Sequence, residues 1–176
     1  MNILGLTGYK QSGKDTVCNI LRQYLASQCI ATERVAFADA LKLEASRVVA
    51  WPQAKMEQHK EIFRPFLQWW GTDFRRRFYG EDYWIKRWQE AVLPFSNYTG
   101  LIIVPDVRFV NEAKTITDMG GEVFRVSRHL CNDTHISEIE LRDYVFQIID
   151  NTGTIERLTQ ETIKAYGDYI IRHPLA

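Results

Sequence analysis

Gly8-Tyr9-Lys10-Gln11-Ser12-Gly13-Lys14-Asp15-Thr16 is the stretch whose reading decides the fold. An apolar run, Ile3 to Leu6, precedes it, and Val17, Ile20, Leu21, Tyr24 and Leu25 follow at helical spacing. Strand, glycine-bounded loop, lysine, helix is the order of a phosphate-binding P-loop. The two glycines let the backbone curl so that successive N–H groups point at phosphate oxygens. The helix opening near Gly13 adds the positive end of its dipole to the same spot. Lys14 then reaches the β- and γ-phosphates as a point charge.

One position departs from the general motif. Serine or threonine ordinarily follows the lysine and ligates Mg²⁺, and here that residue is Asp15. A carboxylate is a strong ligand for a hard cation, so the departure is compatible with Mg²⁺ held directly or through water. Thr16 is the second candidate ligand.

Composition narrows the classes. With 176 residues the chain suggests one domain with a full core. Lys+Arg and Asp+Glu both number 22, so net charge is near zero, which argues against a general nucleic-acid binder. The three cysteines (Cys18, Cys29, Cys131) are odd in number and lack metal-ligand spacing, and the four histidines are scattered. Reduced thiols in a cytosol fit this usage. No apolar run approaches membrane-spanning length, and the first apolar run reads as a strand rather than a signal peptide.

Outward from the loop, Asn2–Thr7 is the expected first and central strand and Lys14–Ser27 its helix. Arg34–Phe37 is expected as a second strand ending at Asp39, with a helix from Ala40 to about Val49. A carboxylate at a strand C-terminus sits where open α/β sheets bind ligands, or it caps the next helix. Trp51-Pro52 breaks that helix, and Arg64-Pro65 marks a second break after a polar helical stretch from Lys55. Phe66, Trp69, Trp70, Phe74 and Phe78 are spaced to put most of them on a buried helical face. Arg75, Arg76 and Arg77 form the densest positive charge, a solvated face or an anion site. Trp84 and Trp88, on a helix from Asp82 to Ala91, read as core.

Leu101–Val104 reads as a strand buried on both faces and ending at Asp106, placed like a Walker-B carboxylate, with Arg108 beside it. Asn111–Met119 is helix, ended by Gly120-Gly121. Glu122–Ser127 alternates as a fourth strand, and Phe146–Ile149 is the fifth. Arg125 and Arg128 lead into a polar segment, 131–138, suited to a lid whose cations balance transition-state charge. After the Asp150–Gly153 turn, Thr154 caps a last helix running to about Ile171. That turn falls at the P-loop's edge of a parallel sheet, within reach of an adenine base.

GYKQSGKDT, QWWGTDFRR followed by DYWI, DVRFVNEA, and HISEIEL with a later DNTGTIERL together resemble the phage-type deoxynucleoside monophosphate kinase family, over nearly the whole chain. Asp after the P-loop lysine is normal for that family and for the similar phosphomevalonate kinases. The resemblance implies an α/β P-loop kinase fold, a five-stranded parallel sheet flanked by helices, with a helical nucleotide-binding insertion and a lid. The corresponding division is a core of about 1–50 and 100–176, an acceptor-binding region of about 51–99 and a lid of about 128–138. It implies transfer of the ATP γ-phosphoryl group to a dNMP with Mg²⁺, in the cytoplasm (a host's, for a phage protein), without membrane or direct DNA or RNA binding, and suggests a homodimer.

Carried over by position, Gly8, Lys10, Ser12, Gly13, Lys14, Asp15, Thr16, Asn151 and Gly153 would hold ATP, with Asp15 and Thr16 also on the metal. Asp39, Lys42, Arg64, Trp70, Arg75, Asp106 and Arg108 would face the acceptor. Glu112 would join them or serve only the first turn of its helix. Lys14, Asp106 and a lid arginine, Arg125 or Arg128, would act in catalysis. A kinase for dephospho-CoA or phosphomevalonate, and a non-catalytic nucleotide switch, are the rival readings. Tyr83 and the tryptophans are candidates for filling the ribose 2′ position.

Overall fold

The computed structural model describes residues 1–128, 141 and 144–174; the expected lid, apart from Arg128, lies outside them. The elements in chain order are β1 (Asn2–Thr7), α1 (Lys14–Ser27), β2 (Thr32–Arg34), α2 (Phe37–Val48), α3 (Gln53–Gln58), α4 (Lys60–Gln68), a π-helical segment (Trp69–Arg76), α5 (Arg77–Tyr79) and α6 (Tyr83–Val92). Then come β3 (Leu101–Val104), α7 (Val110–Asp118), β4 (Glu122–Ser127), β5 (Val145–Asp150) and α8 (Ile155–Arg172). They form two compact units, Met1–Val35 with Pro94–Ala176, and Ala36–Leu93.

The first unit is built on a five-stranded sheet in the order β2-β3-β1-β4-β5, with every pair parallel. Parallel neighbours require long crossovers, which the helices supply. Side chains alternate across β1. Leu4 and Leu6 face a core shared with Val17, Leu21 and Leu25 of α1 and Leu158, Tyr166 and Tyr169 of α8. On the other face, a Cβ at Gly5 would stand 2.9 Å from Ile116 of α7 and 3.0 Å from Val107. Burial on both faces explains the unbroken Leu101–Val104 run, all four residues of which are inaccessible.

Two strand expectations change. β2 ends at Arg34, because Phe37 already belongs to α2; the Asp39 carboxylate accepts from the Ala36 N–H at 2.9 Å and opens that helix earlier. Asp39 therefore stands in a helical first turn, not at a strand tip. β4 does not alternate between buried and solvated residues, since it lies between β1 and β5.

β4 begins with a buried carboxylate. Glu122 receives Nε and Nη2 of Arg172, each at 2.7 Å, and lies 2.8 Å from His173 Nε2. Burial alone would push its carboxyl up. The hydrogen bonds and charges of Arg172 and His173 outweigh that and hold it below its ordinary 4.5. A depressed carboxylate contributes stability above its unfolded pKa and loses it as pH falls through the folded one. Glu122→Gln should cost about 2 kcal/mol near neutral pH, the scale of hydrogen bonds to a charged group. Denaturation of both proteins as a function of pH should show the gap closing below 4.5. A gap that persists unchanged into acid would assign the loss to packing instead.

The second unit is helical. Phe37, Ala45, Met56, Trp84, Ile85, Trp88 and Val92 are buried. Phe37 lies on Trp88, ring centroids 4.8 Å apart, and the Trp84 indole donates to the Gly71 carbonyl at 2.9 Å. Trp84 and Trp88 are thus core, as their spacing suggests. Because α2 packs on α6, this unit starts at Ala36 rather than near residue 51. The break expected at Arg64-Pro65 does not occur; α4 runs through Pro65. So near the helix start the missing N–H forfeits only one bond, to the carbonyl of solvent-exposed Glu61. The aromatic face expected to be buried is not. Trp69 is 48% and Phe78 70% exposed, and Phe66, Trp70 and Phe74 are half-buried. The 3.6-residue repeat fails there because Trp69–Arg76 is π-helical.

Candidate active site

β1 leaves the sheet toward β2 and β4 leaves toward β5, so the order reverses between neighbouring strands at their C-terminal ends. That is where open α/β sheets form a ligand crevice. The 8–16 loop sits there. Gly8 and Gly13 have φ of +141° and +103°. A Cβ at Gly8 would lie 2.4 Å from the Val126 carbonyl oxygen of β4, and one at Gly13 2.3 Å from the Asn151 amide nitrogen. The Ser12 N–H donates to the Tyr9 carbonyl at 3.1 Å and closes the turn. The Lys14 ammonium folds over the loop, donating to the carbonyls of Gly8 at 2.6 Å and Tyr9 at 2.8 Å.

The loop is shaped for an anion. α1 begins at Lys14 without a side-chain cap, so its first N–H groups are not taken by Gly13. Ser12 Oγ is buried, with no hydrogen-bond partner among the described residues. A cavity of about 450 Å³ opens here, lined by Gln11, Gly13, Lys14, Asp15, Thr16, Arg128, Asn151 and Gly153 with Ile155 and Leu158. Asp15 and Thr16 are exposed on its wall and offer the oxygen donors a hard divalent cation takes, so the residues fit Mg²⁺. Lys10 is exposed and does not line the cavity.

The turn after β5 braces this loop. Asn151 donates its side-chain amide to the Ser12 carbonyl at 2.7 Å, and its N–H to the Ser127 carbonyl at 2.7 Å. Asp150 orders the turn by accepting from Thr152 N, Thr152 Oγ1 and Arg157 Nη2 at 3.0–3.1 Å. Asn151, expected on the nucleotide, thus spends its amide on the loop, and Gly153 borders the cavity.

After β3, the Val107 N–H donates to the Leu6 carbonyl at 3.1 Å and ties the 105–109 loop to the central strand. Asp106 is half-buried and Arg108 exposed. Glu112 is only 3% exposed, and one oxygen accepts from the N–H groups of Arg108 at 2.8 Å and Phe109 at 3.2 Å. It thereby opens the following helix and fixes the backbone that carries Arg108. Arg125 lies within β4, paired with Thr7 and Ile148, so it is a sheet residue and not part of a lid. Arg128, at the strand's end, borders the cavity.

In the helical unit, Lys42 pairs with Glu57, and Arg64 lies 3.6 Å from Glu61. Arg76 is buried and donates to the Glu81 carbonyl at 3.1 Å, whereas Arg77 is exposed. Arg75 pairs with Glu44, a residue that no sequence pattern singles out. Glu44 also accepts from Trp70 Nε1 at 3.2 Å and the Tyr83 hydroxyl at 2.9 Å. Burial, then the Glu44 hydrogen bond and charge, push the Tyr83 phenol up, so it remains a donor.

Sheet order and phosphate loop define a P-loop kinase. Shikimate kinase from Aquifex aeolicus superposes with a TM-score of 0.50 at 16% identity, covering 98% of this chain and 99% of that one, a likeness of fold. A family profile described as deoxynucleotide monophosphate kinase matches residues 29–162, and the chain belongs to that family. A protein of Acanthamoeba polyphaga mimivirus, named as a candidate deoxynucleotide monophosphate kinase, is 28% identical over 189 aligned positions, covering 93% of this chain and 95% of its own length. Fold and family together make the protein a phosphotransferase. The family match begins after the P-loop, so the geometry of residues 8–16 is independent support. No helix among the described residues is long and apolar enough to cross a membrane.

Proposed function

We propose that the protein transfers the γ-phosphoryl group of ATP to the 5′-phosphate of a deoxynucleoside monophosphate, giving the diphosphate and ADP. The observation that carries this is the phosphate cradle of Gly8, Ser12, Gly13 and Lys14, standing in a member of this family. An acceptor phosphate oxygen attacks the γ-phosphorus as the bond to the ADP oxygen breaks, and the electron pair leaves on ADP. That acceptor oxygen is already ionised near neutral pH, so no strong base is needed. The protein's task is alignment and charge stabilisation. The loop amides and Lys14 hold the donor phosphates, and Arg128 adds positive charge at the cavity. Asp15 and Thr16 would hold Mg²⁺, which would supply positive charge against the donor phosphates. Trp70 and Arg75 are the proposed acceptor contacts of the helical unit. Asp39, Lys42 and Arg64, engaged as described, have supporting roles there.

The test is ADP release from Mg·ATP against a panel of dNMPs, NMPs, dephospho-CoA and phosphomevalonate. Turnover with at least one dNMP is expected. Turnover confined to dephospho-CoA or phosphomevalonate would replace the acceptor assignment. ATP binding without turnover on any member would favour a nucleotide switch.

A further inference from the structure

The cluster around Glu44 is assembled from three helical elements of one unit. Glu44 comes from α2, Trp70 and Arg75 from the π-helical segment, and Tyr83 from α6. Arg75 directs both Nε and Nη2 at one Glu44 oxygen, which also takes the Trp70 indole N–H; the other oxygen takes the Tyr83 hydroxyl. The guanidinium carbon lies 4.9 Å from the Trp70 ring centre, 5.5 Å from Phe74, 4.7 Å from Tyr79 and 5.3 Å from Tyr83. Carboxylate and rings leave that cation little freedom to turn.

The backbone is adapted to the same end. Trp70 and Arg75 are five residues apart. On an α-helix they would diverge by about 140°, five steps of 3.6 residues per turn. A π-helix, hydrogen-bonded i→i+5, is wound more widely than an α-helix, which brings residues five apart closer to one face, and here both side chains reach the same carboxylate. Such segments are frequent at functional sites. The cluster is not sealed into the core: the Arg75 and Glu44 side chains are 18% and 19% exposed. A guanidinium has five N–H donors. Two go to Glu44, which leaves the fork formed by Nη1 and the second Nη2 hydrogen to meet an anion.

From this geometry we infer that Glu44 is a positioning residue for the acceptor: it holds the plane of Arg75 so that the remaining guanidinium edge meets the acceptor's phosphate. The inference rests on the proposed role of Arg75 in acceptor binding. Glu44 touches no reacting atom and acts through Arg75. A guanidinium already fixed loses less rotamer entropy when the phosphate arrives, so the effect falls on acceptor affinity.

The experiment is steady-state kinetics with thermal melts on wild type, Glu44→Gln, Arg75→Gln and the double variant, each with ATP and the best dNMP. Glu44→Gln keeps the shape and one accepting oxygen but removes the charge that orients Arg75. It should raise the dNMP KM about tenfold and leave the ATP KM within about twofold, an effect of coupled neighbours. In the Arg75→Gln background it should add nothing. A dNMP KM that is unchanged or lowered in Glu44→Gln overturns the inference. Effects that multiply in the double variant, or a parallel rise of both KM values with a lowered melting temperature, also overturn it. A wild-type protein without dNMP turnover removes the acceptor reading, and this inference with it. Wild-type turnover with an indifferent Glu44→Gln removes the inference alone.

Discussion

Lys14→Ala should lower turnover several-hundred-fold, a loss of about 3–4 kcal/mol of transition-state stabilisation, on the scale of a removed electrostatic donor. Lys14 opens α1, and its ammonium is held over the loop by the carbonyls of Gly8 and Tyr9. A phosphate oxygen arriving in the cradle finds the ammonium already there, with no stem to reorganise. Charge builds on the leaving ADP oxygen as its bond to the γ-phosphorus loosens, so the lysine is worth more in the transition state than in the bound ATP. The loss should therefore fall on kcat, with the ATP KM changed much less. The opposite split, a raised ATP KM with kcat kept, would mean that Lys14 only shapes the loop. A loss of turnover below tenfold would count against the placement.

Where local pattern and tertiary context coincide, the sequence is legible. β1 and α1 have the limits expected from Asn2–Thr7 and Lys14–Ser27, because a buried central strand and an amphipathic helix each carry their own period. Leu101–Val104 is equally plain. Arg34–Phe37 misleads because Val35 and Phe37 are good strand formers, whereas the Asp39 carboxylate, by binding the Ala36 N–H, starts a helix there. The aromatic segment misleads for a deeper reason. Its periodicity is read on a 3.6-residue helix, and a π-helical turn changes which residues share a face. Once that phase is lost, the meeting of Trp70 and Arg75 cannot be seen. Glu44 is invisible from sequence because its partners are 26, 31 and 39 residues away. Asn151 is suggestive only by its place after the last strand; its bond to Ser12 spans 139 residues. The P-loop is the exception among the site's parts, since its function is carried by the backbone of nine consecutive residues.

Gly8→Ala should lower kcat/KM for ATP about a hundredfold, the scale of an ångström-sized misplacement of groups that position a reactant. Two costs meet at this residue. Its φ of +141° is one that L side chains rarely adopt, and its Cβ would stand 2.4 Å from the Val126 carbonyl oxygen. That oxygen belongs to backbone held in the sheet between β1 and β5, so it cannot give way cheaply. The same Cβ would also stand 2.8 Å from Ser12 Oγ, a group buried inside the cradle. The loop must therefore rise off β4, carrying its N–H groups away from the phosphate positions, while the ammonium of Lys14 loses the Gly8 carbonyl that holds it. Gly120→Ala separates strain from site. Gly120 also has a positive φ, +80°, but a Cβ there meets nothing within 4 Å. That variant should pay only a backbone cost of about 1–2 kcal/mol in stability and keep its ATP kinetics. Melting curves and initial rates on the two variants decide the matter. If Gly8→Ala loses no more activity than Gly120→Ala, the close approach of the loop to β4 is not what shapes the phosphate cradle. A loss confined to Gly8→Ala, at comparable melting temperatures, would trace ATP recognition to a contact of the loop with the sheet itself.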